Sequence, residues 1–301
     1  MGWRTIYIEN SHKLSLYLNN LKVEDGDEKY IVPIDDIEVL VLNNYKMYVT
    51  TQLLCKLSQE NVCVIVCDKK GLPELMFNPL AGNYASFRLQ EVQLNLKETQ
   101  RQQLWKKIIE GKIGNQVKVL DSHSGDCDTL EYMLQFMKEV LPGDPENREG
   151  LAAKLYFRGL FGREFTRDRK NEDSVNMALN YGYAVLRAIV ARSVVAKGYI
   201  PTIGIHHRNI YNPFNLADDF MEPYRPLIDD WVYRNMGDDF FTREKRLSLL
   251  ESFHNKIIFE EKKYSILQSV PLYVDHIVNY MKSGDECFIQ MPGVEIVEEC
   301  E

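Results

Sequence analysis

The sequence has no run of about 18 uncharged apolar residues, the length a membrane-crossing helix needs. Its opening, Met-Gly-Trp-Arg-Thr, passes straight into alternating strand-like sequence without the apolar core of a secretory signal. The expectation is therefore a cytoplasmic protein with no membrane partner. The six cysteines (Cys55, Cys63, Cys67, Cys127, Cys287 and Cys300) include no Cys-x-x-Cys pair. Cys63 and Cys67 flank the apolar Val64-Ile65-Val66, the pattern of a buried strand, which points to reduced thiols and away from a zinc site or disulfides. Internal repeats and low-complexity tracts are also missing, which excludes a solenoid. An excess of positive charge is lacking too. The formal net charge of −8 argues against a nucleic-acid partner, whose phosphates call for Lys and Arg. The distribution weakens that objection: residues 145–235 carry 13 Lys and Arg against 11 Asp and Glu, whereas residues 236–301 carry 7 against 13. Most of the acidity lies at the C-terminal end.

What is present is a chain of 301 residues, 45% hydrophobic and 27% charged, enough apolar material for a sizeable core. At roughly 100–200 residues per domain, two domains are expected. The first 80 residues alternate like strands, at Arg4 to Glu9, Leu14 to Val23, Tyr30 to Val32, Glu38 to Leu42 and Val62 to Cys67. One helix interrupts them, with Thr51 as its cap and Leu53, Leu54 and Leu57 on one face. Lys69 to Gly82, with Gly71, Pro73, Pro79 and Gly82, reads as a linker. From Tyr84 to about Met281 the spacing is helical, including a long helix from Asp173-Ser174 to Lys197. The predicted fold class is α+β: a small β-rich, sandwich-like domain over 1–80, a larger, mostly helical catalytic domain over 81–286, and an acidic tail over 287–301 that a neighbouring subunit orders.

Two histidines and three carboxylates crowd into the stretch from His206-His207 through Asp218 and Asp219 to Glu222. On a helix capped near Asn215, Asp219 and Glu222 share one face, although Pro223 disfavours the α region for the residue before it. Carboxylates with one imidazole suit Mg²⁺ or Mn²⁺. Helix capping and dipole stabilisation explain the same residues about as well. Glu149 sits in the first turns of a helix that Asp144 or Asn147 can cap, with Leu151, Ala152, Leu155 and Tyr156 toward its core. By spacing alone Glu149 is ordinary helix-start sequence, and nothing in the periodicity joins it to His207. Arg163, Arg167, Arg169 and Lys170, interleaved with Phe161 and Phe165, suit a phosphate backbone or a solvated charged face. Arg225 fits a bidentate phosphate contact or a salt bridge to Asp229 or Asp230.

Taken together, Asn147-Arg148-Glu149-Gly150 with its helix, the Gly-x-x-His of Gly204 to His207, and Asp-x-x-Glu-Pro-x-Arg-Pro from Asp219 to Pro226 resemble the CRISPR adaptation integrase family. The resemblance runs through nearly the whole chain, including Gly2-Trp3-Arg4-Thr5, and is strongest toward the branch that accompanies a single large RNA-guided nuclease. It implies that Glu149, His207 and Glu222 bind Mg²⁺ or Mn²⁺ and form the catalytic set. The family's spacing selects His207 over His206 as the ligand, and Asp219 and His206 become auxiliary groups. Many relatives have Asp where this chain has Glu222, one methylene longer. The implied reaction is attack by the 3′-hydroxyl of a captured DNA fragment on a phosphodiester at a CRISPR repeat, with no need of ATP. The implied partners are double-stranded DNA, a second copy through the β domain, and a small adaptation protein that completes a heterohexamer. A plain metal-dependent nuclease and a non-catalytic DNA-binding scaffold are the competing expectations.

Overall fold

The computed structural model describes residues 4–10, 13–69, 71–77, 85–123, 127–168, 170, 173–237 and 239–294. By internal contacts the chain divides into two units, Met1–Ser86 with Val195–Gly198, and Phe87–Val194 with Tyr199–Glu301. The first is β-rich and the second mostly helical.

In the first unit, β1 (Arg4–Ile8) pairs in parallel with β5 (Ile37–Leu42), after an excursion through β2 (Lys13–Tyr17), β3 (Asn20–Asp25) and β4 (Glu28–Pro33). The three excursion strands form an antiparallel meander, joined on its outer side by β6 (Tyr48–Val49), which runs parallel to β2. After β6 comes α1 (Thr51–Gln59), then β7 (Cys63–Cys67) parallel to β5 and β8 (Pro73–Phe77) antiparallel to β7. The result is two four-stranded sheets, ordered β1-β5-β7-β8 and β4-β3-β2-β6. Alternation drives this arrangement: Leu14, Leu21 and Val23 turn inward from one sheet, Ile8, Leu40, Leu42 and Val64 from the other, and Leu53 and Leu57 of α1 close the core.

Several local expectations change. The stretch Leu14 to Val23 is a hairpin whose two-residue turn, Leu18-Asn19, takes positive φ at both positions without the usual Asn-Gly signal. Thr50, not Thr51, caps α1, accepting from the Leu53 amide. Within the stretch read as a linker, Pro73–Phe77 is a strand on the edge of its sheet, where a proline at the first position loses no ladder bond.

The second unit runs through α2 (Ser86–Leu94), α3 (Glu98–His123), α4 (Cys127–Glu139), α5 (Arg148–Phe161) and α6 (Ser174–Ala196), then α7 (Asn215–Met221), α8 (Arg225–Asn235) and α9 (Arg243–Ser252). A short antiparallel pair, β9 (Lys256–Phe259) and β10 (Lys262–Ser265), precedes α10 (Ile266–Ser283). The sequence concealed that hairpin because its turn residues are Glu260 and Glu261, both with positive φ. α3 is the axis of the unit, touching α4, α5, α7 and α8. Its buried stripe contains Leu104, Trp105, Ile108, Ile109, Ile113, Val119 and Leu120. Each fully buried aliphatic contributes roughly 1.5–3 kcal/mol. Lys112, Asn115 and Gln116 lie in the same buried stripe and are polar.

The beginning of the predicted tail packs on its own chain. Gly293 bridges Ile258, and Asn115 of α3 donates to the Pro292 carbonyl and accepts from the Val294 amide. Residues 295–301 lie outside the described part, as does Trp3 of the opening motif. Among the described residues no helix is long and apolar enough to cross a membrane.

Candidate active site

Three segments build the site, two of them joined by Lys112. The first is the start of α5. Asn147 adopts a left-handed conformation (φ 53°) and accepts from the Gly150 amide, while Asp144 accepts from the amides of Arg148 and Glu149 at 2.8 and 3.0 Å. Both candidate caps are therefore used, and the doubled cap fixes the turn that carries Glu149. Ala152 and Tyr156 face inward as expected, but Leu151 is exposed.

The second segment is the junction of α7 and α8. Phe214 precedes α7 without a side-chain cap, so Asn215 is not a cap. Its amide instead donates to the carbonyls of Thr202 and Asn209 at 3.0 and 2.9 Å, tying the preceding loop to the helix. Glu222 to Tyr224 form one 3₁₀ turn. Glu222 keeps right-handed helical angles (φ −52°, ψ −44°) despite Pro223, and the proline itself falls in the first turn of new helical structure, where its missing N–H goes unneeded. Asn115 holds this turn by donating to the Pro223 carbonyl at 2.8 Å.

Lys112 joins the two segments. Its Nζ lies 2.6 Å from Glu149 Oε1 and 2.6 Å from Glu222 Oε2. The contact with Glu222 is an ion pair, and Lys112 is the sole partner of the buried Oε2 among the described residues. Arg225 reaches Glu222 Oε1 at 2.9 Å and stacks over Tyr183, its guanidinium 4.8 Å from the ring centre. Burial opposes charging of Glu222, but Arg225 and Lys112 hold its carboxyl below the usual range. Burial likewise disfavours the Lys112 ammonium, and Glu149 and Glu222 more than offset it, leaving the pKa above its ordinary value. Arg225 thus pairs with Glu222, not with Asp229 or Asp230 as its sequence neighbourhood suggested. Tyr183 donates to Asp229, whose burial pushes its carboxyl up to about 7. Asp230 is taken by His123 and Arg234.

The third segment is the loop bearing Gly204 to His207. Asp219, fully buried on α7, accepts from the backbone amides of Ile205, His206 and His207. Its Oδ1 also meets His207 Nδ1 at 2.6 Å. That bond raises the His207 pKa against the opposing effect of burial, with Glu222 and Glu149 adding to the rise. A ring tied through Nδ1 keeps Nε2 for another partner. His206 does something different: its exposed ring lies flat on buried Trp105, centroids 4.2 Å apart and planes within 2°. The two adjacent histidines are separated by geometry, one on an indole and the other on a carboxylate. Beside His207 opens a cleft of about 710 Å³, lined by Arg101, Arg208, Asn209, Tyr211 and Asn212 among others. Ile210 and Tyr211 stand almost fully exposed at its edge.

Among the described residues, no three His, Cys, Asp or Glu side chains stand at the spacing of an assembled metal cage. Lys112 stands between Glu149 and Glu222, and Asp219 takes the His207 ring. The donor set itself suits a hard divalent ion: two carboxylates, one of them with a buried oxygen that meets no group but the Lys112 ammonium among the described residues, and an imidazole within electrostatic reach of both.

The basic cluster is less uniform than its sequence. Arg167 is half-buried and donates to Asn176 and Asn180 of α6 at 2.8 and 2.7 Å, which makes it a structural tie. Arg163 and Lys170 are exposed, and Arg169 lies outside the described residues.

Residues 6–261 match the family described as CRISPR associated protein Cas1. The chain belongs to the Cas1 family. It is 37% identical to the CRISPR-associated endonuclease Cas1 of Neisseria meningitidis over 94% of this chain and 92% of that one. It is 24% identical to the same-named protein of Korarchaeum cryptofilum over 86% and 89% of the two chains. In fold it is similar to a casposase bound to integration product (TM-score 0.77, 19% identity, 100% of this chain and 96% of that chain). It is also similar to a CAS1 protein from Thermotoga maritima (TM-score 0.72, 16% identity, covering 98% of this chain and 100% of the other). A chain of a Cas6-RT-Cas1–Cas2 complex matches 99% of this one with 36% of its own length (TM-score 0.76, 18% identity).

In this Cas1 protein the sequence reasoning missed Lys112, Asn115, Trp105 and Arg101. The first two carried a signal: a lysine and an asparagine inside an otherwise apolar helical stripe are costly unless paired. Arg101 donates to the Gly204 carbonyl at 3.0 Å, one more hold on the histidine loop. Gly204 itself is required by close approach. A Cβ there would sit 2.4 Å from the His207 carbonyl oxygen and 2.7 Å from Asp219 Oδ2. Gly204→Ala should therefore push His207 off Asp219 and lower thermal stability by about 2 kcal/mol or more. A melting temperature equal to that of the unaltered protein would show that the loop tolerates the methyl group.

Proposed function

We propose that this Cas1 protein is a divalent-metal-dependent DNA integrase that joins the 3′-hydroxyl ends of captured DNA fragments to phosphodiesters at CRISPR repeat ends, in the cytoplasm. The observation that carries the proposal is the convergence of Glu149 and Glu222 on a single cation position, with His207, fixed by Asp219, within electrostatic reach of both. Glu149, His207 through Nε2, and Glu222 would hold Mg²⁺ or Mn²⁺. Such an ion supplies charge stabilisation at the phosphoryl oxygens and lowers the pKa of a hydroxyl nearby.

The chain's own residues account for the rest. Asp219 fixes the imidazole tautomer by accepting from Nδ1–H and holds the loop through three amides. Arg225 keeps Glu222 ionised and aimed. Arg101 and Arg208 give the cleft beside His207 positive charge, and the exposed Tyr211 offers a face on which a base can stack, so the cleft suits a DNA end. The fragment's 3′ oxygen attacks phosphorus, one phosphodiester forms as another breaks, and the leaving 3′ oxygen takes up a proton. No nucleotide cofactor is consumed. With water as attacker, the same site acts as an endonuclease, the activity in the names of its relatives.

The neighbours support DNA and a small Cas2-type protein as partners, since one is a casposase bound to integration product and another belongs to a Cas1–Cas2 complex. A homodimer through the β-rich unit, assembled into a heterohexamer, completes the proposal. Arg163 and Lys170, exposed, are its phosphate-contacting candidates together with Arg169. The test is a supercoiled plasmid carrying a CRISPR repeat, incubated with Mg²⁺ or Mn²⁺, the small partner and a labelled fragment with a free 3′-hydroxyl. Covalent transfer of label to the plasmid is expected. Nicking without transfer would point to a plain nuclease, and neither product to a scaffold.

The raised His207 pKa makes metal binding sensitive to acid. A protonated imidazole cannot ligate, so Mn²⁺ affinity should fall by about tenfold per pH unit below the His207 pKa, starting above the ordinary histidine value of about 6.5. Isothermal titration at several pH values checks this. A flat profile from pH 8 to 5.5 would remove His207 from the ligand set.

A further inference from the structure

We propose that Lys112 is a resident cation of the catalytic site: its ammonium occupies the position between Glu149 and Glu222, holds them together in the metal-free protein, and has to leave before a divalent ion can bind. The proposal rests on Glu149 and Glu222 being metal ligands, and adds a residue that works against the metal.

Three observations carry it. Lys112 comes from the centre of α3, while Glu149 starts α5 and Glu222 ends the α7 segment, so the ammonium bridges the two carboxylates across three elements. Its side chain is 9% exposed and that of Glu222 is 3% exposed, so the contact is made where water screens little. Finally, Glu222 Oε2 is buried and has no partner among the described residues besides this ammonium. The position thus demands a positive charge, and Lys112 is the group that supplies it in the metal-free protein.

Charge balance gives the consequence. Lys112 and Arg225 offset Glu149 and Glu222 one for one, so the metal-free cluster is neutral. A divalent ion added with Lys112 in place would face a cation at contact range and lose the carboxylate oxygens it needs. The lysine stem is long and flexible, and the ammonium can swing out while its methylenes stay packed. Once displaced, it stays close enough to meet a phosphate.

Lys112→Met keeps the stem's length and apolarity and removes the charge. Mn²⁺ titration of the full-length protein by isothermal calorimetry, with melting curves taken with and without Mn²⁺, reads the effect. Lys112→Met is expected to bind Mn²⁺ at least tenfold more tightly than the unaltered protein. It should also melt lower without metal and gain more from Mn²⁺, because the unpaired carboxylates then depend on the ion. Lys112→Arg, which restores a cation, should return affinity toward the original value. Where Lys112→Met does not fold, Lys112→Gln serves, with tighter binding again expected. If the unaltered protein binds Mn²⁺ and the neutral variant binds it equally or more weakly, Lys112 is only a structural tie and the inference fails, while the metal site stands. If neither protein binds Mn²⁺, both are overturned.

Discussion

Glu149→Gln is expected to lower strand transfer by about 10³-fold or more while leaving the protein folded. Two facts separate the effects. Glu149 is one of the proposed ligands, and loss of one charged oxygen donor removes much of the several kcal/mol that a divalent ion contributes at a phosphoryl group. Its side chain is nevertheless 24% exposed and its neighbour Lys112 keeps Glu222, so the variant leaves no buried charge without a partner. Glu222→Ala is a poorer test: it leaves buried Arg225 without its carboxylate and Lys112 with Glu149 alone, and breaking a buried pair destabilises by about 3–5 kcal/mol. Glu146→Gln is the matched control, since Glu146 is exposed and pairs with Arg148 at the outer side of the same turn. The comparison is read as label joined to plasmid, beside melting temperatures. Transfer by Glu149→Gln at the rate of the Glu146 control would take Glu149 out of the chemistry.

Asp219→Asn should damage both fold and function. Asp219 accepts from three consecutive backbone amides and the His207 ring with no exposure to solvent. Asparagine replaces one acceptor oxygen by an NH₂ group that confronts N–H donors, so at least one buried amide loses its partner. The loss of bonds to a charged acceptor, with donors stranded, comes to about 3 kcal/mol. At roughly 2–4 °C per kcal/mol for a unit of this size, the melting temperature should drop by about 6–12 °C. His207 also loses its orientation, which lowers metal affinity by a further 10–100-fold. Calorimetry with and without Mn²⁺ separates the two effects. An unchanged melting temperature would mean that the loop is held by Asn215 and Arg101 alone.

The strands were legible where one face alternates, as in Leu14-Ser15-Leu16, and where a short apolar run is buried on both faces, as in Val39 to Leu42. Turns were not, where Leu18 and Glu260-Glu261 take left-handed angles that other residue types advertise. At the site, His207, Asp219 and Glu222 share one short stretch and stood out. Glu149 did not, because a carboxylate in the first turn of a helix has an ordinary electrostatic reason to be there. Only its resemblance to a known motif tied it to the others. Lys112 was hidden more deeply: it sits one helical turn from Ile108 and Ile109, and only a three-dimensional contact explains a charge in that stripe. Asp219 and Asn215 looked like metal-side and capping residues, yet both spend their hydrogen bonds on one loop, the kind of tie that spacing cannot show.

Crystals soaked in Mn²⁺ and measured at the manganese absorption edge test the central claim most directly. An anomalous peak about 2.0–2.3 Å from carboxylate oxygens of Glu149 and Glu222 and from His207 Nε2 is the expected result, with Lys112 turned away from it. A peak coordinated elsewhere, or none at saturating Mn²⁺ with Lys112 still between the two glutamates, would contradict the assignment of the site.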